Sequence, residues 1–383
     1  MNSTYDTDVL VVGAGPTGLT LAASLVQRGV ATIVVDRQTE GANTSRAGVV
    51  NARSLEVLEG LDVARRLVKE GIEAPVFTIR DRQRTLIQID FSGLPTAYPY
   101  SLMVPQSTTE RLLLERLLEL GGAVVRPKTL TSVAQDADGV TATFDDGDVI
   151  RARYLVGADG IHSTVREYAG IGFEGGQYEE SFVLADVQLT GEIPADEVLL
   201  FWATAGLTVV APLPGGEVYR VVAPAADAPE NPSAEFVQRL LDERGLGAGR
   251  MVVGDVVWGS RFRIHHRVAD SYRAGRLLLA GDAAHVHSPA GGQGMNLGIQ
   301  DAVALADALG GVLSAGPESL LDDYSAARRP IARDVVSLTD RLTRLATMPR
   351  IARPIRNAAI GVAGRFPFVQ RALAMRLSGL VYR

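Results

Sequence analysis

Residues 8–18 read DVLVVGAGPTG, a short apolar run that leads directly into three closely spaced glycines. The run Val9–Val12 is typical of a buried parallel β-strand. Residues 19–27 then have the periodicity of an amphipathic helix, and Thr32–Val35 is a second short apolar run. Strand, glycine turn, helix and strand in this order predict a βαβ unit, and hence an α/β fold that begins with a parallel sheet.

The glycines and a following acid match the requirements of a dinucleotide site. Gly13 permits a tight turn, Gly15 lets the backbone approach a pyrophosphate, and Gly18 lets helix and strand pack closely. The phosphates would lie at the helix N-terminus, where unpaired N–H groups and the helix dipole favour negative charge. Asp36 follows the second strand and would accept hydrogen bonds from the ribose hydroxyls of adenosine. The motif predicts a Rossmann-type domain that binds NAD(P) or FAD.

Two later motifs distinguish between these dinucleotides. Each is a strand that ends in an acid, and they read YLVGADG at residues 154–160 and GRLLLAGDAAH at residues 275–285. The second motif leads into PAGGQGMN at residues 289–296, just before a predicted helix. A nicotinamide dehydrogenase needs no second glycine loop to hold its one cofactor. Bound FAD does need one, because its ribityl chain and isoalloxazine extend beyond the first βαβ unit. FAD is therefore the predicted cofactor.

With these motifs the sequence resembles the single-component FAD-dependent aromatic hydroxylases, the group of 4-hydroxybenzoate hydroxylase. The resemblance spans residues 6–340 and rests on four motifs in the family's order: GAGPTG with Asp36-Arg37, SRAG at 45–48, GADGIHSTVR at 157–166, and GDAAHVHSPAGGQGMN at 281–296. It implies a monooxygenase whose FAD is reduced by NADPH or NADH and then forms a flavin hydroperoxide with dioxygen. One oxygen atom would pass to an aromatic or polyketide-like small molecule.

The resemblance also implies which residues surround the FAD. Gln106 would contact the FAD linker, and Asp282 would hold the ribityl chain or the pyrophosphate. The N–H groups of Met295 and Asn296 would point at the pyrimidine end of the flavin, where donors stabilise the negative charge of the reduced ring. The full set assigned to the cofactor is Gly13, Gly15, Gly18, Asp36, Arg37, Arg46, Gln106, Asp159, Asp282, Gly294, Met295 and Asn296.

Docking of NAD(P)H is assigned, through the same resemblance, to Arg46, His162 and Arg166, of which Arg46 is also matched to the FAD phosphates. The sequence has no second GxGxxG between a predicted strand and a predicted helix, so the docking would be transient. Asp159 with Gly160 would support both cofactors, and a structural ion pair of Asp159 with Arg166 is the alternative. Pro289 would shape a loop over the reacting edge of the flavin. No acid or base residue is assigned to catalysis.

Residues 181–269 follow a strand pattern and are predicted to form a mixed sheet under the substrate. The predicted strands are Val183–Leu189, Val198–Trp202, Leu207–Pro212 and Val218–Ala223, with a hairpin turn at Gly215-Gly216. Residues 76–100 are expected to join this sheet. The region offers several aromatic residues and few charges, so the substrate is predicted to be apolar or aromatic. The pocket is assigned to Phe201, Tyr219 and Arg220.

The predicted domains are discontinuous. They are an FAD-binding domain (1–75, 101–180 and 270–340), a substrate domain (76–100 and 181–269) and a helical tail (341–383). The tail contains nine arginines and no acid, and apolar residues recur among them. A basic amphipathic segment can lie on an anionic membrane, but it can also fold back onto an acidic body. The second interpretation is preferred, because its counter-charge lies within the same chain.

Composition excludes other classes of protein. With 38 basic and 44 acidic residues the net charge is −6, which argues against nucleic acid as a partner. The absence of cysteine excludes disulfides, thiolate metal sites and cysteinyl flavin. His285 and His287 lack a third ligand at suitable spacing, so no metal is expected. With no signal peptide and no apolar stretch of about 18 residues, the chain is expected to be cytoplasmic, as a monomer or homodimer.

Two alternative functions remain open on the sequence. One is an FAD-dependent dehydrogenase or reductase on the same fold, which would incorporate no oxygen. The other is a non-catalytic protein that keeps FAD as a structural element and binds an aromatic ligand. Incorporation of oxygen into the product would distinguish a monooxygenase from the dehydrogenase or reductase. Catalytic turnover would distinguish both of these enzymes from the non-catalytic protein.

Overall fold

The computed structural model describes residues 5–41, 47–289 and 291–383. The first βαβ unit is formed by β1 (Thr7–Val12), α1 (Pro16–Gln27) and β2 (Thr32–Val35). The apolar side chains of β1 are buried, and the strand pairs in parallel with β2 on one side. The predicted βαβ unit is therefore confirmed.

The first sheet brings the carboxyl ends of three parallel strands together. On its other side β1 pairs with β11 (Val149–Gly157), which pairs with β18 (Leu277–Leu279). Each of these strands leads into one of the three predicted cofactor motifs, so the three motifs lie at one edge of the sheet, where open α/β sheets bind ligands. The other strands of the sheet are β8 (Val124–Val125), β9 (Leu130–Gln135), β10 (Val140–Phe144) and β17 (Arg273–Ala274).

Helices and a small sheet surround these strands. Helix α1 packs against α4 and α7, and α7 packs in turn against α8 and α2. The helices are α2 (Ala52–Glu59), α3 (Ala64–Glu70), α4 (Gln106–Glu119), α5 (Thr164–Tyr168), α7 (Gly294–Leu313) and α8 (Ser319–Ala346). The small sheet contains β3 (Val49–Val50), β4 (Ile72–Ala74) and β7 (Ser101–Met103).

The second sheet has eight strands and contains all four strands predicted for the substrate region. Its order is β19 (His285–Val286), β16 (Met251–Ala269), β12 (Phe173–Gly191), β15 (Val218–Pro224), β14 (Gly206–Leu213), β13 (Glu197–Ala203), β5 (Val76–Asp81) and β6 (Arg84–Asp90). Because β13 and β5 are parallel and the other pairs are antiparallel, the sheet is mixed. The hairpin turn at Gly215-Gly216 is confirmed, with positive φ at both glycines.

Two features of this region were not predicted. Helix α6 (Ala234–Arg244) covers part of one face of the sheet, and the 19-residue strands β12 and β16 pair along their lengths. Strand β12 begins at Phe173, before the predicted domain boundary at 180/181. The largest hydrophobic core also contains residues from both predicted domains, such as Leu10 and Trp202. The boundaries drawn from the sequence therefore do not separate two cores.

The C-terminal residues fold back onto the body of the protein, as the preferred interpretation predicts. Helices α9 (Arg353–Ala363) and α10 (Pro367–Leu377) both contact β6. Leu377 and Leu380 are buried, whereas Phe366 and Phe368 are exposed. Within the described ranges, no helix combines the length and the apolar character that a membrane crossing requires.

Candidate cofactor site

The three glycines of the first turn differ in what a side chain would meet. A Cβ on Gly13, whose φ is +103°, would lie 2.3 Å from the carbonyl oxygen of Ala158. A Cβ on Gly18 would lie 1.9 Å from the carbonyl oxygen of Gly13. At Gly15, in contrast, a Cβ would meet no atom within 4 Å. The turn requires the first glycine and helix packing requires Gly18, whereas the space beside Gly15 is left open for a ligand.

The N-terminus of α1 adds donors to this open space. Gly15 is the residue before the helix, no side chain caps it, and Pro16 opens the first turn. The first N–H groups of an α-helix have no partner within the helix. These groups and the helix dipole favour an anion, so the residues present fit the pyrophosphate of a dinucleotide.

Asp36 links the second strand to the glycine turn. Its Oδ2 accepts a hydrogen bond from the Ala14 N–H at 2.6 Å, and its Oδ1 accepts one from the Gln38 N–H at 2.8 Å. A carboxylate can accept about four hydrogen bonds, so these contacts leave room for ribose hydroxyls. Arg37 is exposed just beyond the strand.

Arg126 and Glu110 also lie at this end of the site, and sequence reasoning missed both. Arg126 follows β8, the parallel neighbour of β2, and donates to the Ala14 carbonyl at 3.2 Å. Glu110 is buried, and burial raises the pKa of its carboxyl. Gln106 donates to Glu110 at 2.8 Å and accepts from the Ala47 N–H at 3.1 Å, so its amide holds the segment that starts at Ala47. The position of Arg126 after a parallel strand was a usable signal.

The second motif is held in place by hydrogen bonds of two of its own side chains, Asp159 and Arg166. Asp159 accepts a hydrogen bond from the Val165 N–H at 3.2 Å, at the start of α5, and burial raises the pKa of its carboxyl. Arg166 is buried and donates to the carbonyls of Ala283 and Ile161 at 2.9 and 2.8 Å. It thereby ties the second motif to the third. This burial conflicts with the expected docking role of Arg166, because its guanidinium already donates to carbonyl oxygens. Those carbonyls, and not Asp159 as in the alternative ion pair, are its hydrogen-bond partners.

The other two expected docking residues have different positions. His162 is exposed, so it remains accessible to a transient ligand. Arg46 lies outside the described residues, and its role stays a prediction.

Asp282 occupies a 3₁₀ turn, Gly281–Ala283, directly after β18, and its side chain is exposed. This turn is held from behind by Asp301 of α7. Asp301 accepts hydrogen bonds from the Gly281 N–H at 3.4 Å, from His285 Nε2 at 2.5 Å and from Arg328 Nε at 2.6 Å. Burial alone would raise the pKa of Asp301, but the positive partners outweigh it and lower the pKa.

The start of α7 offers backbone donors. Gln293 precedes the helix without a side-chain cap, and Leu297 is the first residue whose N–H bonds within the helix. The Asn296 amide is occupied, because it accepts from the Asn51 N–H at 2.8 Å and donates to the carbonyls of Val49 and Gly292. The N–H groups of Gly294, Met295 and Asn296 therefore fit a flavin edge better than any side chain here does. Pro289 is exposed in the preceding loop.

His287 is a further polar residue of this loop, which the sequence analysis considered only as a metal ligand. Burial lowers the pKa of its imidazole to about 4, so the ring is neutral at pH 7. Nδ1 lies 2.8 Å from the Ser288 carbonyl oxygen and so carries the proton. That leaves Nε2 as a buried acceptor, for which the described residues supply no donor. A bound ligand is a natural source of that donor.

Two of the three residues assigned to the substrate pocket lie on the face of the sheet that α6 covers. Phe201 and Tyr219 are buried in a cluster with Val237 and Leu241 of α6. This burial leaves Phe201 and Tyr219 little surface for a ligand, and their assignment to the pocket stays a prediction. Successive side chains of a strand point to opposite faces, so Arg220 lies on the other side.

Arg220 lies close to Gly48, on the face that packs against the rest of the chain. A Cβ on Gly48 would come within 2.9 Å of Arg220 Nη1. Arg220 is buried, and its Nε and Nη2 each lie 2.8 Å from a carboxylate oxygen of Asp186. Trp202 and Ala211 belong to the core on this same side. The side chains named on this face are thus apolar, apart from one buried ion pair.

Replacing Asp282 with Ala is expected to weaken FAD binding by about 10- to 100-fold. A charge-assisted hydrogen bond contributes about 1.5–3 kcal/mol, and about 1.4 kcal/mol corresponds to tenfold in affinity. Titration of the apoprotein with FAD, followed by quenching of flavin fluorescence, measures the change. Asp255→Ala removes an equally exposed carboxylate from β16 and serves as the control. Undiminished affinity in the Asp282 variant would remove this residue from the cofactor site.

Known proteins resemble this chain in sequence and in fold. A family model described as an FAD binding domain matches residues 6–339. Rifampicin monooxygenase of Streptomyces venezuelae is 38% identical over 347 residues, which cover 87% of this chain and 70% of that protein. For 6-methylpretetramide 4-monooxygenase of Streptomyces rimosus the identity is 40% over 355 residues, and the coverages are 91% and 63%.

The fold comparison agrees with these relatives. The solved structure of anhydrotetracycline hydroxylase from Streptomyces rimosus matches with a TM-score of 0.82 at 38% identity. The match covers 98% of this chain and 76% of that chain. The present chain thus spans 63 to 76% of the length of these three proteins.

Proposed function

Because the chain belongs to the FAD-binding family of aromatic monooxygenases, we propose that it is an NAD(P)H-consuming hydroxylase of aromatic or polyketide-like small molecules. The observation that carries this proposal is the meeting of three strand ends at the open space beside Gly15 and at the turn that bears Asp282. The names of the relatives support the substrate class, since rifampicin, 6-methylpretetramide and anhydrotetracycline are all large ring systems.

Bound FAD would supply the redox chemistry: it accepts a hydride from NAD(P)H and activates dioxygen, one atom of which goes to the substrate and the other to water. The protein's own groups bind and orient. The N-terminus of α1 would hold the pyrophosphate, and Asp36 would hold the ribose. The N–H groups at the start of α7 would donate to the pyrimidine end of the flavin and would stabilise negative charge there.

The substrate is proposed to lie on the face of the second sheet that carries Arg220. That face presents Trp202 and Ala211, with further apolar residues of β13 and β14 beside them. An apolar surface excludes water from the reacting centre and suits a fused-ring substrate. The buried pair of Arg220 and Asp186 is the polar group at hand to orient it.

The test of this function is oxygen transfer itself. Purified holoprotein is expected to oxidise NAD(P)H faster when an aromatic polyketide is added. The product should gain one oxygen atom, and isotopically labelled dioxygen should place its label in that product. NAD(P)H oxidation without label in the product would favour the dehydrogenase alternative. A bound ligand without any turnover would favour the non-catalytic one.

Docking of NAD(P)H is proposed at His162 and the basic residues around it. Burial, Arg267 and His162 together lower the pKa of His265, so these groups lie close to one another. A surface of histidine and arginine suits the phosphates of a nicotinamide dinucleotide. Arg46, outside the described residues, remains a further proposed contact.

His162→Ala is expected to raise the apparent KM for NAD(P)H by about 2- to 10-fold, because one hydrogen bond of about 0.5–1.5 kcal/mol is lost. The apparent affinity for the aromatic substrate should stay unchanged, and steady-state kinetics in both substrates measures the two effects separately. Arg250→Ala, at the far end of β16, is the control. An altered affinity for the aromatic substrate, with normal NAD(P)H kinetics, would assign His162 to the other ligand.

A further inference from the structure

Helix α9 is amphipathic in the reverse sense to a normal surface helix. Its polar residues Arg356 and Asn357 are buried, at 5% and 2% exposure. Arg356 donates to the carbonyls of Leu345 and Trp202, and Asn357 donates to Trp202 and to Asp81. Polar anchors therefore fix the inner face of the helix to the body.

The outer face of α9 is apolar instead. Ile355, Ala358, Ala359 and Val362 are exposed there, and their spacing places them on one side of the helix. Ile355 is 75% exposed. The polar groups of the inner face already have hydrogen-bond partners in the body of the protein. The helix therefore cannot rotate to bury its apolar side without breaking those hydrogen bonds.

Neighbouring residues extend the apolar surface. Ile351, just before α9, is 89% exposed, and Phe368, at the start of α10, is 71% exposed. Phe366 lies beside Phe368, with ring centroids 5.7 Å apart. We call this set the tail patch, and its residues are Ile351, Ile355, Val362, Phe366 and Phe368. Single exposed apolar residues are ordinary on a soluble protein, but a group of large ones marks an interaction surface.

The charged residues of the tail itself have one sign. Arg350, Arg365 and Arg371 are exposed, and in the described part of the chain no carboxylate lies within 4 Å of them. Other arginines of this region differ, since Arg376 and Arg383 form ion pairs with carboxylates of the body. Residues 341–383 contain no acid at all. The tail patch is therefore an apolar centre with an arginine rim.

We infer that the tail patch docks the protein on the surface of an anionic lipid bilayer. An apolar face bordered by arginine is the combination that binds peripherally to acidic lipid headgroups. The overall charge of −6 does not prevent this, because charges further away than about 8–10 Å are screened at physiological salt. A symmetric contact with a second copy is disfavoured, since it would bring the two arginine rims against each other.

Co-sedimentation of the full-length holoprotein with vesicles tests this inference. The protein is expected to sediment with vesicles of phosphatidylglycerol and phosphatidylcholine, and to stay in solution with phosphatidylcholine alone. Binding should disappear at about 1 M salt, where the screening length falls to about 3 Å. Ile355→Glu with Phe368→Glu should lower the partition coefficient at least about tenfold, since each large apolar side chain contributes about 1.5–3 kcal/mol when buried.

Two further variants separate folding from docking. Val257→Glu changes an apolar residue of β16 that is 61% exposed, and it should leave vesicle binding unchanged. Arg365→Gln with Arg371→Gln leaves the apolar residues in place and should abolish the preference for anionic vesicles. The flavin content and activity in solution should stay normal in all variants. Failure to bind anionic vesicles, equal binding to both kinds of vesicle, or a dimer that Phe368→Glu dissociates would overturn the inference.

Discussion

Gly15→Val is expected to give a folded but colourless protein. The residue has no atom within 4 Å of where its Cβ would lie, so the apoprotein can accept a side chain there. The same space is needed by the pyrophosphate, and a valine would block at least two charge-assisted hydrogen bonds from backbone N–H groups. At about 1.5–3 kcal/mol each, their loss should lower FAD affinity by about 100-fold or more. Absorbance of the purified protein near the flavin bands measures the bound cofactor, and circular dichroism measures the fold.

Two other glycines make this prediction specific. Gly60→Val places the same side chain at another open, exposed glycine, and should purify with full flavin content. Gly18→Val should fail differently, by misfolding, because its Cβ would overlap the Gly13 carbonyl. If Gly15→Val retained full flavin content, the cofactor would not lie at this turn.

Asp301→Ala is expected to lower the free energy of unfolding by about 3–5 kcal/mol, a large share of the total of about 5–15 kcal/mol for an ordinary domain. Asp301 is fully buried and receives hydrogen bonds from His285 and Arg328, which are buried too. Its removal would leave the Arg328 guanidinium charged and without its carboxylate in the interior. Urea unfolding of the wild-type and variant apoproteins at pH 7 measures the difference.

The pH dependence of this effect has a definite sign. The pKa of Asp301 is lowered in the folded protein, so its contribution to stability is present above the pKa of the unfolded chain. That contribution is lost as the pH falls through the lowered, folded value. The difference between wild type and Asp301→Ala should therefore shrink on acidification. Asp307 lies on the same helix as Asp301 and is an exposed ion-pair partner of Arg28. Asp307→Ala should therefore lower the free energy of unfolding by less than about 1 kcal/mol. If Asp301→Ala lowered the free energy of unfolding as little as this control does, the buried charges would have to be compensated in another way.

Sequence reasoning located the cofactor end of the protein because the signals there are local. The turn from Gly13 to Gly18 lies between a strand and a helix, and the chain needs only these few residues to form it. Asp282 and Met295 are likewise placed by the strand or helix next to them. The carboxyl ends of parallel strands meet at one edge, so the positions of the motifs follow from the topology.

The substrate side could not be read in the same way. Phe201 and Tyr219 alternate with Trp202 and Arg220 along their strands. Alternation shows that the sheet has two faces, but it does not show which element of the fold packs on each face. Helix α6, which covers the face of Phe201 and Tyr219, was not predicted, so nothing in the sequence separated the two faces. The contacts of Arg166 could not be predicted for a related reason. Its partners, the carbonyls of Ala283 and Ile161, are backbone atoms that any residue type provides.

The long strands β12 and β16 have a mechanical consequence for how the second sheet can move. Paired over almost their whole length, they run from the region beside Arg166 to the far end of the second sheet. A hinge needs a few residues whose backbone can rotate freely. Two strands that are hydrogen-bonded to each other are stiff and do not provide such residues. The β-bulges between them, as at Asp186 and Val187, add twist and no freedom of rotation. An opening movement of the second sheet that bends β12 away from β16 is therefore opposed by the hydrogen bonds that join these two strands.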